Sequence, residues 1–219
     1  MSATFEPLGP WGEDGVLVVT PDLHGDARGF FLERYKASTY AAHGVGPFVQ
    51  DNHSRSAGGV LRGLHWQAPP AAQGKLVGVL AGRILDVAVD VRRTSPHFGR
   101  WVSAVLDDHA HRHLWIPEGF AHGFLVLSDV ADVHYKTTAE YAPALERSLR
   151  WDDPDVGVAW GTDAPTLSVK DAAAPHLRDY GDADPFTSAD PFARTDPSSA
   201  ASSTPTPHAP PNDDGRDRP

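Results

Sequence analysis

The chain has 219 residues, with 19 Lys and Arg against 29 Asp and Glu, a net charge of −10. That balance argues against a nucleic-acid groove, which needs a basic domain, yet it leaves room for a small anionic ligand held by a few placed arginines. With no cysteine anywhere, disulfides, thiolate nucleophiles, Cys-ligated zinc and iron–sulfur clusters are excluded. No apolar run approaches the ~18 residues of a membrane span, and residues 1–11 carry neither a basic nor an apolar signal region. A soluble cytoplasmic protein with no nucleic-acid or membrane partner is the expectation.

Taken in order, short apolar runs at 16–20, 29–35, 60–67, 75–80, 83–91, 101–106, 113–116, 121–127 and 133–136 read as strands. Most are separated by Gly, Pro, Asp or Ser clusters. Residues 84–91 alternate, with Leu85, Val87, Val89 and Val91 on one face and Asp86 and Asp90 on the other, which predicts one buried and one polar face. Only 36–43 looks helical. Many short strands at close spacing point to an all-β sandwich, barrel or jelly roll rather than a βαβ sheet. The composition changes near Tyr180. Residues 181–219 hold 8 Pro, 7 Asp and 9 Ser/Thr and no Val, Ile, Leu, Met, Trp or Tyr. Such a segment cannot offset the entropy of ordering itself, so a globular domain over 1–180 and a disordered acidic tail over 181–219 are expected. Within that tail only Phe186 and Phe192, each ending an Ala-Asp-Pro-Phe tetrad, have much to bury.

Two segments depart from ordinary strands. One ends in Leu64-His65-Trp66-Gln67, and the other runs Pro117-Glu118-Gly119-Phe120-Ala121-His122. The second matches the Pro-x-Gly-x-x-His turn of cupin barrels. A metal-binding cupin would add a second histidine and a glutamate in its first motif, and here His65 is followed by Trp66-Gln67 with no Glu before Gly82. Two histidines fall short of the three or four converging ligands that zinc or iron wants, so the reading is a cupin-type jelly-roll barrel without a metal. A single histidine on an apolar strand is more often packed than catalytic. Two of them, each on a glycine-flanked strand of one barrel, favour a site.

The ordered set of motifs carries a specific resemblance. Asp26-x-Arg28-Gly29-Phe30-Phe31-x-Glu33, Gln50-Asp51-Asn52-x-Ser54 and Leu61-Arg62-Gly63-Leu64-His65-x-Gln67 are followed by Gln73-Gly74-Lys75-Leu76-Val77 and Asp86-Val87-x-Val89-Asp90. Then come Ser95-Pro96-x-Phe98-Gly99, Pro117-x-Gly119-Phe120-Ala121-His122-Gly123, Tyr135-Lys136-x-Thr138-x-x-Tyr141 and Leu167-Ser168-x-Lys170-Asp171. From Phe5 to Leu177 the chain resembles the dTDP-4-dehydrorhamnose 3,5-epimerase family. Members invert C3 and C5 of dTDP-4-keto-6-deoxy-D-glucose by proton transfer beside the C4 ketone, with no cofactor and no metal.

The resemblance implies His65 as base, Asp171 as its orienting partner, Lys75 beside the enolate oxygen and Tyr135 as the acid that protonates C5 from the opposite face. It implies further that Arg28, Arg62 and Lys170 meet the charged parts of the dTDP-sugar, that Tyr141 stacks on thymine, and that Glu33, Gln50, Asn52, His122 and Glu146 make polar contacts. A homodimer is implied too, with the run 16–20 as an edge that a partner would cover and with Arg28 and Glu33 reaching the neighbour's site. One geometric difficulty arises from period 2: Arg62 and His65 are three apart and belong on opposite faces unless Gly63 permits a bulge. The alternatives are a mono-epimerase at C3 or C5, a sugar-nucleotide 3,4-ketoisomerase, a non-catalytic carbohydrate-binding cupin and, disfavoured by its missing ligands, a metal-dependent oxygenase.

Overall fold

In the computed structural model, which describes residues 3–181 together with Phe186, short antiparallel strands form two facing sheets. The strands are β1 (Ala3–Pro7), β2 (Leu17–Pro21), β3 (Leu23–Asp26), β4 (Gly29–Leu32), β5 (Gln50–Ala57), β6 (Leu61–Gln67) and β7 (Lys75–Ala81). They continue as β8 (Arg83–Asp90), β9 (Trp101–Asp107), β10 (His113–Ile116), β11 (Phe120–Val126), β12 (Val130–Thr137) and β13 (Glu146–Ser148). One sheet has the order β1-β2-β10-β7-β12-β5, the other β13-β6-β11-β8-β9, and β3 and β4 form a separate hairpin. Among the described residues helix is limited to α1 (Ala37–Ala41), α2 (Val169–Ala172) and three short 3-10 turns. This is an all-β jelly roll, one of the architectures that the spacing of apolar runs predicts, and of the cupin type that the turn at Pro117–His122 indicates.

Alternation along the strands separates three apolar layers. Val77, Val79, Ile84, Ala88, Phe120, Phe124 and Val133 point into the barrel and fill one end of it. Their neighbours Val87, Val89, Ala121 and Leu125 face outward against Trp66, Leu149, Trp160 and Leu177, which cap the five-stranded sheet. On the far side, Leu17, Val19, Leu76 and Trp115 are covered by Tyr40 of α1 with Val45 and, at the margin, Phe48.

Two local expectations change, at β8 and at the run 16–20, and β5 is a strand that no apolar run marks. Strand β8 has no solvent face, because Asp86 and Asp90 are both fully buried inside the barrel. Asp90 accepts hydrogen bonds from Trp11, Arg92 and Ser95, and Asp86 contacts His122. Strand β5 shows no apolar alternation (Gln-Asp-Asn-His-Ser-Arg-Ser-Ala) because its inward residues Gln50, Asn52 and Ser54 line a cavity instead of packing in a core. The run 16–20 is not an edge: β2 lies between β1, with Phe5 opposite Val19, and β10, with His113 opposite Val19. The edges of that sheet are β1 and β5. Of the expected tail at 181–219, all but Gly181 and Phe186 lie outside the described residues, and Phe186 is buried beside Leu177 and Trp66.

Candidate active site

The unfilled end of the barrel is a cavity of about 620 Å³ lined by β5, β6, β7, β11, β12, β13 and the segment leading into α2. Its two histidines come from neighbouring strands, since His65 of β6 lies directly opposite His122 of β11. Arg62 lies opposite Phe124, so three residues of β6 span the distance that two of β11 cover. That is a β-bulge at Gly63-Leu64, and it resolves the period-2 difficulty: Arg62 and His65 both line the cavity while Leu61, Leu64 and Trp66 stay in the outer layer. Glycine is required at the bulge. Gly63 has φ +123°, and a Cβ there would stand 2.5 Å from the Gly123 Cα. Gly63→Ala is therefore expected to cost on the order of 2–4 kcal/mol of stability through backbone strain and overpacking. It should also misdirect His65, which thermal melts and ligand titration of the variant would register together.

The α2 segment is tied to the start of β6 by backbone bonds, Leu61 N–H to Thr166 O at 3.0 Å and Thr166 N–H to Gly59 O at 2.8 Å. This brings Asp171 across 106 positions of sequence to His65, whose Nε2 is 2.6 Å from Asp171 Oδ1. The second carboxylate oxygen accepts the Ser168 hydroxyl at 2.8 Å. Burial pushes the Asp171 carboxyl up, but the His65 bond and charge, helped by Ser168 and Lys170, outweigh it and hold the acid below its usual range. With Nε2 engaged by an anion, Nδ1 is the ring nitrogen left to accept a proton.

Lys75 opens β7 with its ammonium buried, donating to the His65 carbonyl at 2.9 Å. Burial brings its pKa down to about 8, against the pull of Asp86 and Glu146. Asp86 sits behind the cavity wall, and both of its oxygens are 3.1 Å from His122 Nε2. Tyr135 of β12 lines the cavity from the other sheet, and burial raises its phenol with Arg62 opposing. At the mouth Glu146 of β13 receives Lys170 Nζ at 2.5 Å and the Tyr141 hydroxyl at 2.7 Å. These partners more than offset its burial and lower its pKa. Gln50 Oε1 accepts the Tyr141 N–H at 2.8 Å, and its amide donates to Asn52 at 2.9 Å.

Eleven of the thirteen predicted site residues thus converge on one cavity. The exceptions are Arg28 and Glu33. Arg28 lies at the tip of the β3–β4 hairpin, its side chain 90% exposed and paired with Asp26, and Glu33 follows the end of β4 outside the cavity wall. The hairpin is separate from both sheets, with Phe30 and Phe31 each 60% exposed, and neither Arg28 nor Glu33 lines the cavity of its own chain. The sequence reading assigned no role to Gln67, Gln73, Thr137 or Ser168, which also line the cavity. Ser168 had a signal, the Ser-x-x-Asp spacing of a helix N-cap. Among the described residues no group of three or more His, Asp or Glu side chains is placed to hold a metal ion.

A cupin-type barrel whose mouth gathers a His–Asp pair, a buried lysine and a tyrosine defines a class of acid–base chemistry rather than one protein. A sequence profile for dTDP-4-dehydrorhamnose 3,5-epimerase matches residues 13–179, and the chain belongs to that family. It is 51% identical over 166 residues to the dTDP-4-dehydrorhamnose 3,5-epimerase of Salmonella typhimurium, covering 74% of this chain and 90% of the relative. Among solved structures it superimposes on the dTDP-6-deoxy-D-glucose-3,5-epimerase of Legionella pneumophila, crystallised with dTDP-4-keto-L-rhamnose. There the TM-score is 0.76 at 46% identity, over 80% of this chain and 93% of that one. A 3′-monoepimerase of Streptomyces bikiniensis bound to dTDP-quinovose aligns with TM-score 0.72 at 38% identity, over 78% of this chain and 88% of that one.

Proposed function

We propose that this protein inverts C3 and C5 of dTDP-4-keto-6-deoxy-D-glucose to give dTDP-4-keto-L-rhamnose, as a step of dTDP-L-rhamnose or related deoxysugar biosynthesis. The observation that carries the proposal is the 2.6 Å His65–Asp171 pair sharing one cavity with Lys75 and Tyr135. Both target C–H bonds flank the C4 ketone. Lys75 neutralises the oxygen as it becomes an enolate, His65 Nδ1 takes the proton while Asp171 steadies the imidazolium, and at C5 Tyr135 returns a proton from the other sheet and hence to the opposite face, water supplying the far-face proton at C3. Arg62 and Lys170 supply the positive charge that a diphosphate needs, and the exposed Tyr141 ring offers thymine a stacking surface. None of these steps transfers electrons, so no redox cofactor enters.

The proposal is tested by incubating the protein with the 4-keto-6-deoxy sugar nucleotide in deuterated water and following the sugar by NMR. Deuterium at both C3 and C5 with conversion to the L-rhamno product supports it. Exchange at one carbon alone assigns a mono-epimerase, the reading that the S. bikiniensis relative keeps open. Exchange at neither leaves a binding protein only. A nucleotide-sugar substrate, and the lack among the described residues of any helix long and apolar enough to cross a membrane, fit a cytoplasmic enzyme.

The same reading includes a homodimer in which the β3–β4 arm carries Arg28 and Glu33 to the partner's cavity. Its support is the arm's position away from its own site and its two exposed phenylalanines. Sedimentation at micromolar concentration is expected to give a dimer. Mixing and reassociating inactive Arg28→Ala and His65→Asn chains should restore activity, because one site of each mixed dimer is then intact. A monomer, or no recovery on mixing, would remove this part of the proposal.

A further inference from the structure

Asp171 is more constrained than a simple His–Asp pair requires. Its carboxylate is almost completely buried, Oδ1 is taken by His65 Nε2 at 2.6 Å, and Oδ2 accepts the Ser168 hydroxyl at 2.8 Å. The same Ser168 oxygen accepts the Asp171 backbone N–H at 3.0 Å, capping α2. That helix is only four residues long and its first residue, Val169, is 89% exposed, so it offers little packing of its own to hold Asp171 in place. One hydroxyl therefore fixes both the main chain and the side chain of the residue that orients the base.

We propose that Ser168 is a positioning residue for proton abstraction, the outer member of a Ser168–Asp171–His65 chain that sets the direction and the basicity of the imidazole. This rests on His65 being the base of the epimerase reading. Physically, a carboxylate with one oxygen free can swing about its χ2, a soft torsion, and the ring it holds swings with it. A base displaced by a fraction of an ångström from the C–H it must meet loses much of the benefit of orientation. Ser168 also draws charge from Asp171 by donating to Oδ2. Without that bond the carboxylate holds the imidazolium more strongly, and His65 gives up its proton at higher pH.

The test uses the full-length protein and three readouts: kcat against KM for the 4-keto-6-deoxy sugar nucleotide, the acid limb of the pH profile, and the low-field imidazole N–H resonance of the ligand-free protein, assigned by its loss in His65→Asn. In Ser168→Ala we expect kcat to fall about tenfold with KM within twofold of wild type, the acid limb to move up by several tenths of a pH unit, and the low-field resonance to shift. Ser168→Thr keeps both bonds and should restore all three. If Ser168→Ala does not fold, Ser168→Gly takes its place: glycine is well tolerated at an N-cap and donates nothing to Oδ2, and it carries the same expectation for kcat and the resonance. A folded Ser168→Ala with wild-type kcat, acid limb and resonance overturns the proposal. A wild-type protein that exchanges neither C3 nor C5 overturns the epimerase reading instead, and a resonance indifferent to Ser168→Ala would then overturn the chain as well.

Discussion

In deuterated buffer, His65→Asn is expected to lose exchange at C3 and at C5 together, whereas Tyr135→Phe keeps exchange at C5 and loses inversion there. The split follows from the two walls of the cavity. His65 stands on β6 in one sheet with Nε2 locked to Asp171, so its Nδ1 serves one face of the sugar. Tyr135 stands on β12 in the other sheet and serves the opposite face. Asparagine at 65 preserves a polar side chain of similar reach but cannot accept a proton near neutrality, and dTDP binding should survive within a few-fold. In Tyr135→Phe the C5 proton still leaves, and His65 can return a deuteron to the face it left. Inversion falls by about two to four orders of magnitude because no positioned acid remains on the far face. Burial raises the Tyr135 phenol, which keeps it protonated, as a donor must be, throughout the neutral range. NMR of C3 and C5 deuteration beside a product assay separates the variants. Retained exchange in His65→Asn with lost C5 exchange in Tyr135→Phe would exchange the two roles.

The parts of this site that the sequence made legible are those that its ordered motifs mark through their resemblance to a family. His65, Lys75, Tyr135 and Asp171 stand in an ordered set of motifs, and the alternation of 84–91 shows a strand without need of a partner. What it concealed depends on neighbours. The bulge at Gly63 becomes definite only when Phe124 and His122 are laid against Arg62 and His65, for period 2 by itself sends those two side chains apart. Asp86 reads as a solvent-facing residue on a half-polar strand, and only the arrival of His122 from β11 accounts for its full burial. Strand β5 is hidden by its own task, since residues that line a wet cavity carry no apolar alternation. Arg28 and Glu33 belong to the pattern of motifs yet stand on an arm that leaves the barrel, a placement that no local propensity encodes.

Lys75→Met is expected to lower kcat by about 10²–10³, the usual cost of removing one preorganised donor to a developing oxyanion, and to remove a fall in activity that sets in near pH 8. The lysine is buried at the start of β7, and burial brings its pKa down to about 8 while Asp86 and Glu146 hold it from falling further. An ammonium is charged below its pKa, so the form that can neutralise an enolate dominates at pH 7 and is lost as pH rises through about 8. The kcat/KM profile, which reports the free enzyme, should therefore decline on its alkaline side near that value rather than near the 10.4 of an ordinary lysine. Tyr135, raised above its ordinary value, cannot account for a limb so low. Lys75→Arg should not rescue. The guanidinium is larger than the buried space holding the ammonium 2.9 Å from the His65 carbonyl, and it does not titrate in this range, so whatever activity it retains should lack the limb. Asp86→Asn should move the wild-type limb lower still, since the asparagine keeps the shape but withdraws the anion that favours the charged lysine. A limb near pH 8 that persists in Lys75→Met, or one that rises in Asp86→Asn, would assign the titration to another group and take the enolate from Lys75.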